Sequence, residues 1–276
     1  MAAPDWAIQN HPQIANCVCS VSEIVRQMRR YKSCELEARF GKWKNNKFTS
    51  GVSRQQMDTI IDSLKQSCFI HCDGEWSEQQ DFFFMSEDKH MRTRVIYDSD
   101  KMKITSNTIH KLPISSKIFT TNSHFPDIRV DLKLEEAITN PPDVVQPTTV
   151  RIKQSRRFYI ENKKGRVWAY DFSMTWTGKT KTEAELLQMK EDPVFEIECE
   201  LLNYDDYVYK NTDMYIAASI LLKMTDLFNS MSESILQPYF PHGVHKSKET
   251  HLNYLESSLE SAILLTHEKD SNLFPM

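Results

Sequence analysis

Polar and apolar residues alternate along much of this chain between residues 33 and 203. This is typical of β-strands, because neighbouring side chains in a strand point to opposite faces. The alternation predicts eight strands, at residues 33–43, 80–86, 91–97, 102–118 in pieces, 127–135, 149–160, 166–176 and 193–203. The chain has only 6 glycines, so Asn, Asp, Ser and Pro supply most of the turns. We therefore expect an antiparallel β domain.

Helices are predicted where apolar residues recur every three or four positions. The first helix covers about residues 20–32, begins with a Ser cap, and has an apolar face of Val21, Ile24, Val25 and Met28. The second begins at Ser53, which forms a capping box with Gln56. Its apolar stripe consists of Met57, Ile60, Ile61 and Leu64. With two further helices at about 211–230 and 248–265, we expect a single domain over residues 1–276 that has its β core at about 33–203.

Several strands carry charged residues on one of their two faces. The residues that share such a face are Glu35, Glu37 and Arg39; Arg92 and Arg94; Arg129, Asp131, Lys133 and Glu135; Arg151, Lys153, Ser155 and Arg157; and Glu196, Glu198 and Glu200. For any single strand, a charged face in contact with water is the simplest interpretation. The set fits it less well, because the most acidic strand holds three like charges about 7 Å apart and the most basic strand is a separate one.

These faces instead predict a closed barrel with a charged interior. Because unpaired buried charge is costly, the carboxylates require a cation, and the guanidinium and ammonium groups require a polyanion. Oxygen ligands alone select a hard cation such as Mg²⁺ or Mn²⁺. A cation and basic groups together neutralise charge on a γ-phosphate, while a carboxylate orients the attacking water. The sequence therefore predicts hydrolysis of a triphosphate.

The overall composition matters mainly for what it excludes. Among 276 residues there are 34 Lys and Arg against 38 Asp and Glu, a net charge of −4, so no global positive field attracts nucleic acid and any RNA contact is local. Cys68, His71 and Cys72 stand without a second pair of zinc ligands. The chain shows no signal-peptide pattern and no apolar stretch long enough to cross a bilayer. We therefore expect a reducing, intracellular compartment and no membrane contact.

Motifs spaced along the β region carry a resemblance to a known family. They are Glu35-Leu-Glu37-Ala-Arg39-Phe-Gly41, the F-x-x-G-V-S segment from Phe48 to Ser53, the strands of Arg151-Ile-Lys153 and Asp171, and Glu196-Ile-Glu198-Cys-Glu200. Over about residues 33–203 the chain resembles the triphosphate tunnel metalloenzymes. It is most similar to their metal-dependent RNA 5′-triphosphatase branch, which acts in mRNA capping in fungi, protists and large DNA viruses. The resemblance implies an α+β, mainly β fold: a closed antiparallel eight-stranded β-barrel with helices packed outside.

The resemblance also implies roles for the carboxylates. The expected metal ligands are Glu35, Glu37 and Glu200. The expected catalytic carboxylates are Glu198, Glu196 and Glu135, and Asp171 is expected to support the site. Which of the three closing glutamates binds the metal stays open, although we favour Glu200.

Basic residues complete the expected site. The phosphate ligands are expected to be Arg39, Arg92, Arg94, Lys111, Arg129, Lys133, Arg151, Lys153 and Arg157. Ser155 stands where the family has a third basic residue on this strand. Either Arg157, which shares the face of Ser155, or Arg156, brought inwards by a β-bulge, is expected to replace it.

The expected reaction is hydrolysis of 5′-triphosphate RNA to a diphosphate end, the first step of mRNA capping, with Mg²⁺ or Mn²⁺ as cofactor. One alternative is a tunnel enzyme for nucleoside triphosphates, tripolyphosphate or thiamine triphosphate, in which the Glu-x-Glu motif usually lies closer to the N-terminus. Another is a non-catalytic interaction module of a transcription assembly, against which the retained glutamates argue. The expected partner is a capping guanylyltransferase, separate or in the same polypeptide, in the nucleus, a viral cytoplasmic factory or a virion.

Overall fold

The structure, a computed structural model, describes residues 12–66, 70–72, 74–86, 89–98, 103–121, 126–138, 146–162, 165–202, 204–236 and 268–270. Its helices are α1 (Pro12–Met28), α2 (Arg54–Lys65), α3 (Lys181–Lys190), α4 (Tyr204–Lys210) and α5 (Asp213–Leu236). Its strands are β1 (Cys34–Lys44), β2 (Lys47–Ser50), β3 (Ile70–Cys72), β4 (Ser77–Ser86), β5 (Lys89–Asp98), β6 (Lys103–Phe119), β7 (Asp127–Ala137), β8 (Thr149–Asn162), β9 (Gly165–Gly178), β10 (Val194–Leu201) and β11 (Glu268–Asp270).

The long strands form a closed antiparallel barrel. Around it the order is β1, β10, β9, β8, β4, β5, β6 and β7, and the barrel closes where β7 pairs with β1. The short strands β2, β3 and β11 pair with β1, β8 and β6, respectively, outside this circuit. The predicted fold class, an eight-stranded, mainly β barrel with helices outside, is confirmed.

The main hydrophobic core lies outside the barrel, between the strands and the helices. Leu36, Ala38 and Phe40 of β1 are buried in it because they alternate with the charged residues that point inwards. Helices α1, α2 and α5 cover this side, and α5 contributes Ile216, Ile220, Met224 and Leu227. Apolar packing therefore takes place on the outer face, which leaves the inner face to charged residues.

A smaller core lies under α3. Ala184 of this helix packs against Val150 and Ile152 of β8 and Trp176 of β9. Neither α3 nor the short helix α4 was predicted from the sequence. The start of α3 nevertheless carries a capping signal, because Thr180 accepts a hydrogen bond from Glu183 N and Glu183 accepts one from Lys179 N.

The predicted helices are borne out to different degrees. The capping box of α2 is confirmed, since Ser53 Oγ accepts from Gln56 N and Gln56 Oε1 accepts from Ser53 N. The predicted start of the first helix near residue 20 is wrong, because α1 begins at Pro12 and ends at Met28. Cys17 and Val18 extend its buried face upstream, and proline fits a first helical turn.

Two other predictions concern the ends of elements. The strand expected in pieces at 102–118 is one strand, β6, with a register shift between Pro113 and Ser115. The helix expected at 211–230 extends from Asp213 to Leu236, and the one expected at 248–265 lies outside the described residues. None of the described helices is long and apolar enough to cross a membrane.

Candidate active site

The inward faces of the barrel strands line a cavity of about 350 Å³, which we call the tunnel cavity. The predicted site residues that line it are Glu35, Glu37, Arg39, Arg92, Arg94, Lys111, Lys133, Glu135, Arg151, Lys153, Arg157, Asp171, Glu198 and Glu200. Phe83, His90 and Met91 line it as well and were not predicted. Strand alternation thus brings together residues that are far apart in the sequence.

The acidic wall of the tunnel cavity consists of Glu35, Glu37, Glu198 and Glu200, on the paired strands β1 and β10. Glu37 stands directly opposite Glu200 in the register, and Arg39 stands opposite Glu198. Adjacent inward-facing carboxylates repel one another at this distance. Their protonation therefore depends on which basic groups reach each of them.

Glu37 and Glu198 are stabilised as anions. Burial acts to raise the pKa of Glu37, but its contacts with Arg39 and Lys133 outweigh burial and bring that pKa below its ordinary value. Burial also opposes ionisation of Glu198, whose pKa nevertheless falls to about 2 because Arg39 Nη2 lies 3.0 Å from Glu198 Oε1. Both side chains are therefore charged at neutral pH.

Glu35 and Glu200 are in the opposite situation. Burial, together with the negative charges of Glu35, Asp171 and Glu37, raises the pKa of Glu200 to about 7 against the lowering effect of Arg157. Burial and the charge of Glu37 likewise raise the pKa of Glu35. These two carboxylates lack sufficient positive charge around them.

The donor set of the acidic wall has the chemistry that a divalent cation requires, oxygen ligands with mutual repulsion. Within the described part of the chain, however, no three Asp, Glu, His or Cys side chains come close enough together to hold a metal ion. Each candidate ligand is turned towards a basic partner instead. Lys111 Nζ lies 2.6 Å from Glu35 Oε2, Lys133 contacts Glu37, and Arg157 Nη2 lies 2.9 Å from Glu200 Oε2. Metal binding therefore requires these carboxylates to turn away from their partners.

The basic wall consists of Arg92 and Arg94 on β5 and Arg151, Lys153 and Arg157 on β8. Asp81 of β4 lies between the two strands, and the register places it opposite both Arg94 and Arg151. Its carboxylate is fully buried and accepts hydrogen bonds from Arg94 Nε at 2.7 Å and Arg151 Nη2 at 2.6 Å. Burial acts to raise the pKa of Asp81, but these two guanidinium groups bring it well below its usual range.

Asp81 was also not among the predicted site residues, although it pairs with two arginines of the basic wall. It begins the sequence Asp81-Phe-Phe-Phe-Met85, and three consecutive aromatic residues are more typical of a packed barrel wall than of a charged site. The available signal was alternation, since Asp81 shares a strand face with Phe83, which lines the tunnel cavity.

Arg92 differs from the other basic-wall residues. Its Nε is buried and has no hydrogen-bond partner among the described residues. Burial lowers the pKa of Arg92, and the neighbouring charges of Arg94 and Arg151 lower it further. A buried guanidinium nitrogen without a partner, beside other cations, has the chemistry to bind an anion.

Arg157, and not Arg156, lies in the tunnel cavity. The register of β8 with β9 is regular from Val150 to Ile160, so no bulge occurs there, and Arg157 stands opposite Asp171. Arg157 contacts the carboxylate of Asp171 and lines the tunnel cavity. Arg156 points elsewhere, with its Nε 3.0 Å from the Cys72 sulfur.

Two predicted site residues do not line the tunnel cavity. Arg129 lines a separate cavity, where its guanidinium lies 4.6 Å from the centre of the Phe48 ring. Glu196 lies beside the basic wall, with its Oε2 3.9 Å from Arg151 Nη1. Alternation correctly gave both residues a charged strand face but did not specify their position along the barrel.

Comparison with known proteins identifies the fold. The chain is 14% identical to the Schizosaccharomyces pombe Pct1 RNA triphosphatase, with a TM-score of 0.57 over 78% of this chain and 91% of that one. The same protein in complex with the Spt5 CTD gives 13% identity and a TM-score of 0.54 over 78% and 91%. The Mimivirus capping enzyme triphosphatase gives 13% identity and a TM-score of 0.51 over 76% and 97%.

Sequence comparison adds nothing to this result, since no family model and no curated protein matches the chain. At such low identity, the structural likeness establishes architecture and not chemistry. The chain therefore has the closed-barrel tunnel fold of the RNA triphosphatases.

Proposed function

We propose that this protein is a metal-dependent RNA 5′-triphosphatase that converts a 5′-triphosphate end to a diphosphate end. The observation that carries the proposal is the tunnel cavity, in which a basic wall with an unpartnered Arg92 Nε accompanies an acidic wall of mutually repelling carboxylates. A triphosphate supplies oxygens that bind the basic wall, and a divalent cation supplies positive charge for the acidic wall. The likeness of the fold to RNA triphosphatases supports RNA as the carrier of the triphosphate.

In this proposal Glu35, Glu37 and Glu200 hold Mg²⁺ or Mn²⁺, which when bound neutralises charge on the γ-phosphate. Each ligand turns from the basic partner it contacts in the structure. Those partners, Lys111, Lys133 and Arg157, thereby become free to bind phosphate oxygens, so cation and triphosphate binding are coupled.

The remaining residues position the reacting groups. Arg92, Arg94, Arg151 and Lys153 hold the phosphate oxygens, and Glu198, ionised at neutral pH, accepts a hydrogen bond from the attacking water. The water oxygen forms a bond to the γ-phosphorus, and the bond from this phosphorus to the bridging oxygen breaks. The electron pair stays on the β-phosphate, so the products are inorganic phosphate and RNA with a 5′-diphosphate.

The proposed function implies partners that take part in mRNA capping. The S. pombe protein binds the Spt5 CTD, and the Mimivirus protein is the triphosphatase of a capping enzyme. We infer that this protein acts with a guanylyltransferase, in the same polypeptide or as a separate chain. Its location is then the site of transcription, a nucleus or a viral factory.

The test is phosphate release from γ-labelled triphosphate RNA, ATP and tripolyphosphate, each with Mg²⁺ and with Mn²⁺. We expect release from RNA, and Glu37→Ala and Glu200→Ala are each expected to reduce it about a thousandfold or more. Glu136→Ala is the matched control, because this carboxylate is 61% exposed and pairs with His110 at 3.6 Å, and neither residue lines the tunnel cavity. Release that persists in both tunnel variants contradicts the metal assignment, and no release from any substrate contradicts the function.

A further inference from the structure

A second cavity, of about 330 Å³, lies beside the tunnel cavity and differs from it in chemistry. Trp43 and Phe48, from the hairpin of β1 and β2, line it together with Pro113 and Ile118 of β6. The tunnel cavity, by contrast, is lined almost entirely by charged side chains. The second cavity has the size and the mainly apolar lining of a site for a small organic group.

The two cavities are adjacent, because Lys133 lines both. The inward face of β1 leads from one to the other, since Glu37, Arg39, Gly41 and Trp43 occupy successive positions on it. Gly41 has no side chain, and the Phe48 ring occupies its place: a Cβ added there would lie 2.5 Å from Phe48 Cζ. The carboxylate of Glu37, the guanidinium of Arg39 and the Phe48 ring of β2 therefore follow one another along the inward face of β1.

The spacing suits a nucleotide. Gly41 lies four positions after Glu37, which is about 13 Å along a strand. An extended triphosphate and a ribose fit within such a length, so a γ-phosphate beside Glu37 places the base near Phe48. Arg129 covers the Phe48 ring at 4.6 Å, and its Nε donates to Asp131 at 2.8 Å. Aromatic rings and guanidinium planes are the groups on which nucleobases stack.

We propose that the second cavity binds the base of the 5′-terminal nucleotide while the tunnel cavity binds the triphosphate. The inference rests on the proposed function and adds to it a preference for substrates that carry a nucleoside. Tripolyphosphate has the same phosphates and no base, so it serves as the internal reference for any effect at the second cavity.

Two variants alter the cavity in opposite ways. Trp43→Ala removes one wall, while the backbone of this residue stays anchored by the hydrogen bond of 2.7 Å from Trp43 N to Asp127 Oδ2. Ser115→Trp fills the cavity, which Ser115 also lines. For each variant we expect the ratio of kcat/KM for triphosphate RNA to kcat/KM for tripolyphosphate to fall about tenfold. Tyr209→Ala is the matched aromatic control, because this side chain is 75% exposed on α4.

Binding is measured separately with a short triphosphate RNA whose first base is the fluorescent analogue 2-aminopurine. Wild-type protein is expected to quench its fluorescence by stacking, and both cavity variants are expected to lose most of the quenching. The inference is overturned if both cavity variants keep the wild-type ratio of kcat/KM for triphosphate RNA to kcat/KM for tripolyphosphate and also keep the wild-type quenching. Quenching by the wild type without phosphate release from any substrate supports the base site and contradicts the proposed function, so the two failures are distinguishable.

Discussion

Glu200, a partly buried carboxylate of the acidic wall, and Asp81, a buried carboxylate between the strands of the basic wall, have opposite surroundings. Asp81, between the strands of the basic wall, accepts hydrogen bonds from two arginines, and its pKa lies well below the usual range. Glu200, in the acidic wall, shares Arg157 with Asp171 and faces other carboxylates, and burial with this repulsion raises its pKa to about 7.

The difference separates two roles for carboxylates in one barrel. A carboxylate with all its charge balanced by protein groups holds those groups in place, so we interpret Asp81 as the residue that positions Arg94 and Arg151. A carboxylate with too little positive charge around it gains from an added cation. We interpret Glu200 as such a residue, and the proposed metal site follows from that imbalance.

The strongest test of this contrast is removal of Asp81. Asp81→Ala leaves two partly buried guanidinium groups without their shared, fully buried acceptor, so we expect a loss of about 3 kcal/mol in the free energy of unfolding. We also expect kcat/KM to fall about a hundredfold, because the arginines no longer keep their orientation. Urea denaturation and phosphate release measure the two effects.

The control for this variant is Asp58→Ala. Asp58 also pairs with an arginine, Arg54 at 3.7 Å, but its side chain is 65% exposed. We expect a change within about 0.5 kcal/mol there. Equal effects of the two substitutions contradict the positioning role of Asp81.

The second test concerns the metal requirement of Glu200. Because a metal ligand must be deprotonated, protons compete with the cation below the pKa of about 7. We expect the Mn²⁺ concentration for half-maximal activity to rise about tenfold for each pH unit below that value and to level off above it. A requirement that is independent of pH between about 5.5 and 8 excludes Glu200 as a ligand of this kind.

The third test compares Glu200 with Asp81 by the pH dependence of the free energy of unfolding, measured in the presence of a chelator. The folded-state pKa of Glu200 is raised above 4.5, so its stabilising contribution is complete below that pH and is lost as pH rises through about 7. Glu200→Gln is therefore expected to be more stable than wild type at pH 8, by about 2 kcal/mol, and nearly equal to it at pH 4.

Asp81→Asn is expected to show the opposite pH dependence. Its folded-state pKa is depressed, so the contribution of Asp81 is present above its unfolded value of 3.8 and is lost as pH falls below it. The variant therefore differs most from wild type near neutral pH and least in acid. Parallel pH profiles for the two variants contradict the contrast between the walls.

The sequence predicted the faces of the strands but not their relative heights or partners. Alternation is a local property with a period of two residues, so the inward direction of Glu35, Lys153 and Glu200 followed from a few neighbouring positions. Register is a property of two strands that are distant in sequence. The role of Asp81 depends on its pairing with both β5 and β8, and nothing within β4 specifies that pairing.

The same distinction accounts for the other differences. Arg129 shares a strand face with Lys133, yet four residues along the strand place it in the second cavity and outside the tunnel cavity. Helix α3 was not predicted because it buries a small residue, Ala184, and its apolar residues do not recur with a clear helical period. Its capping signal was nevertheless present. A capping signal alone is therefore not enough to predict a helix, although it marks where a helix begins.

The smallest expected effect concerns two of the groups that contact Arg151, Asp81 and Phe83. Its guanidinium donates to Asp81 and also lies 5.3 Å from the centre of the Phe83 ring. Phe83→Leu keeps an apolar side chain and removes the cation–π contact, which is worth about 0.5–1 kcal/mol. We therefore expect KM for triphosphate RNA to rise about threefold with little change in kcat. In the Asp81→Asn background the same substitution should have a larger effect, because the ring is then the main remaining restraint on Arg151. Equal effects in both backgrounds would show that Phe83 acts independently of this arginine.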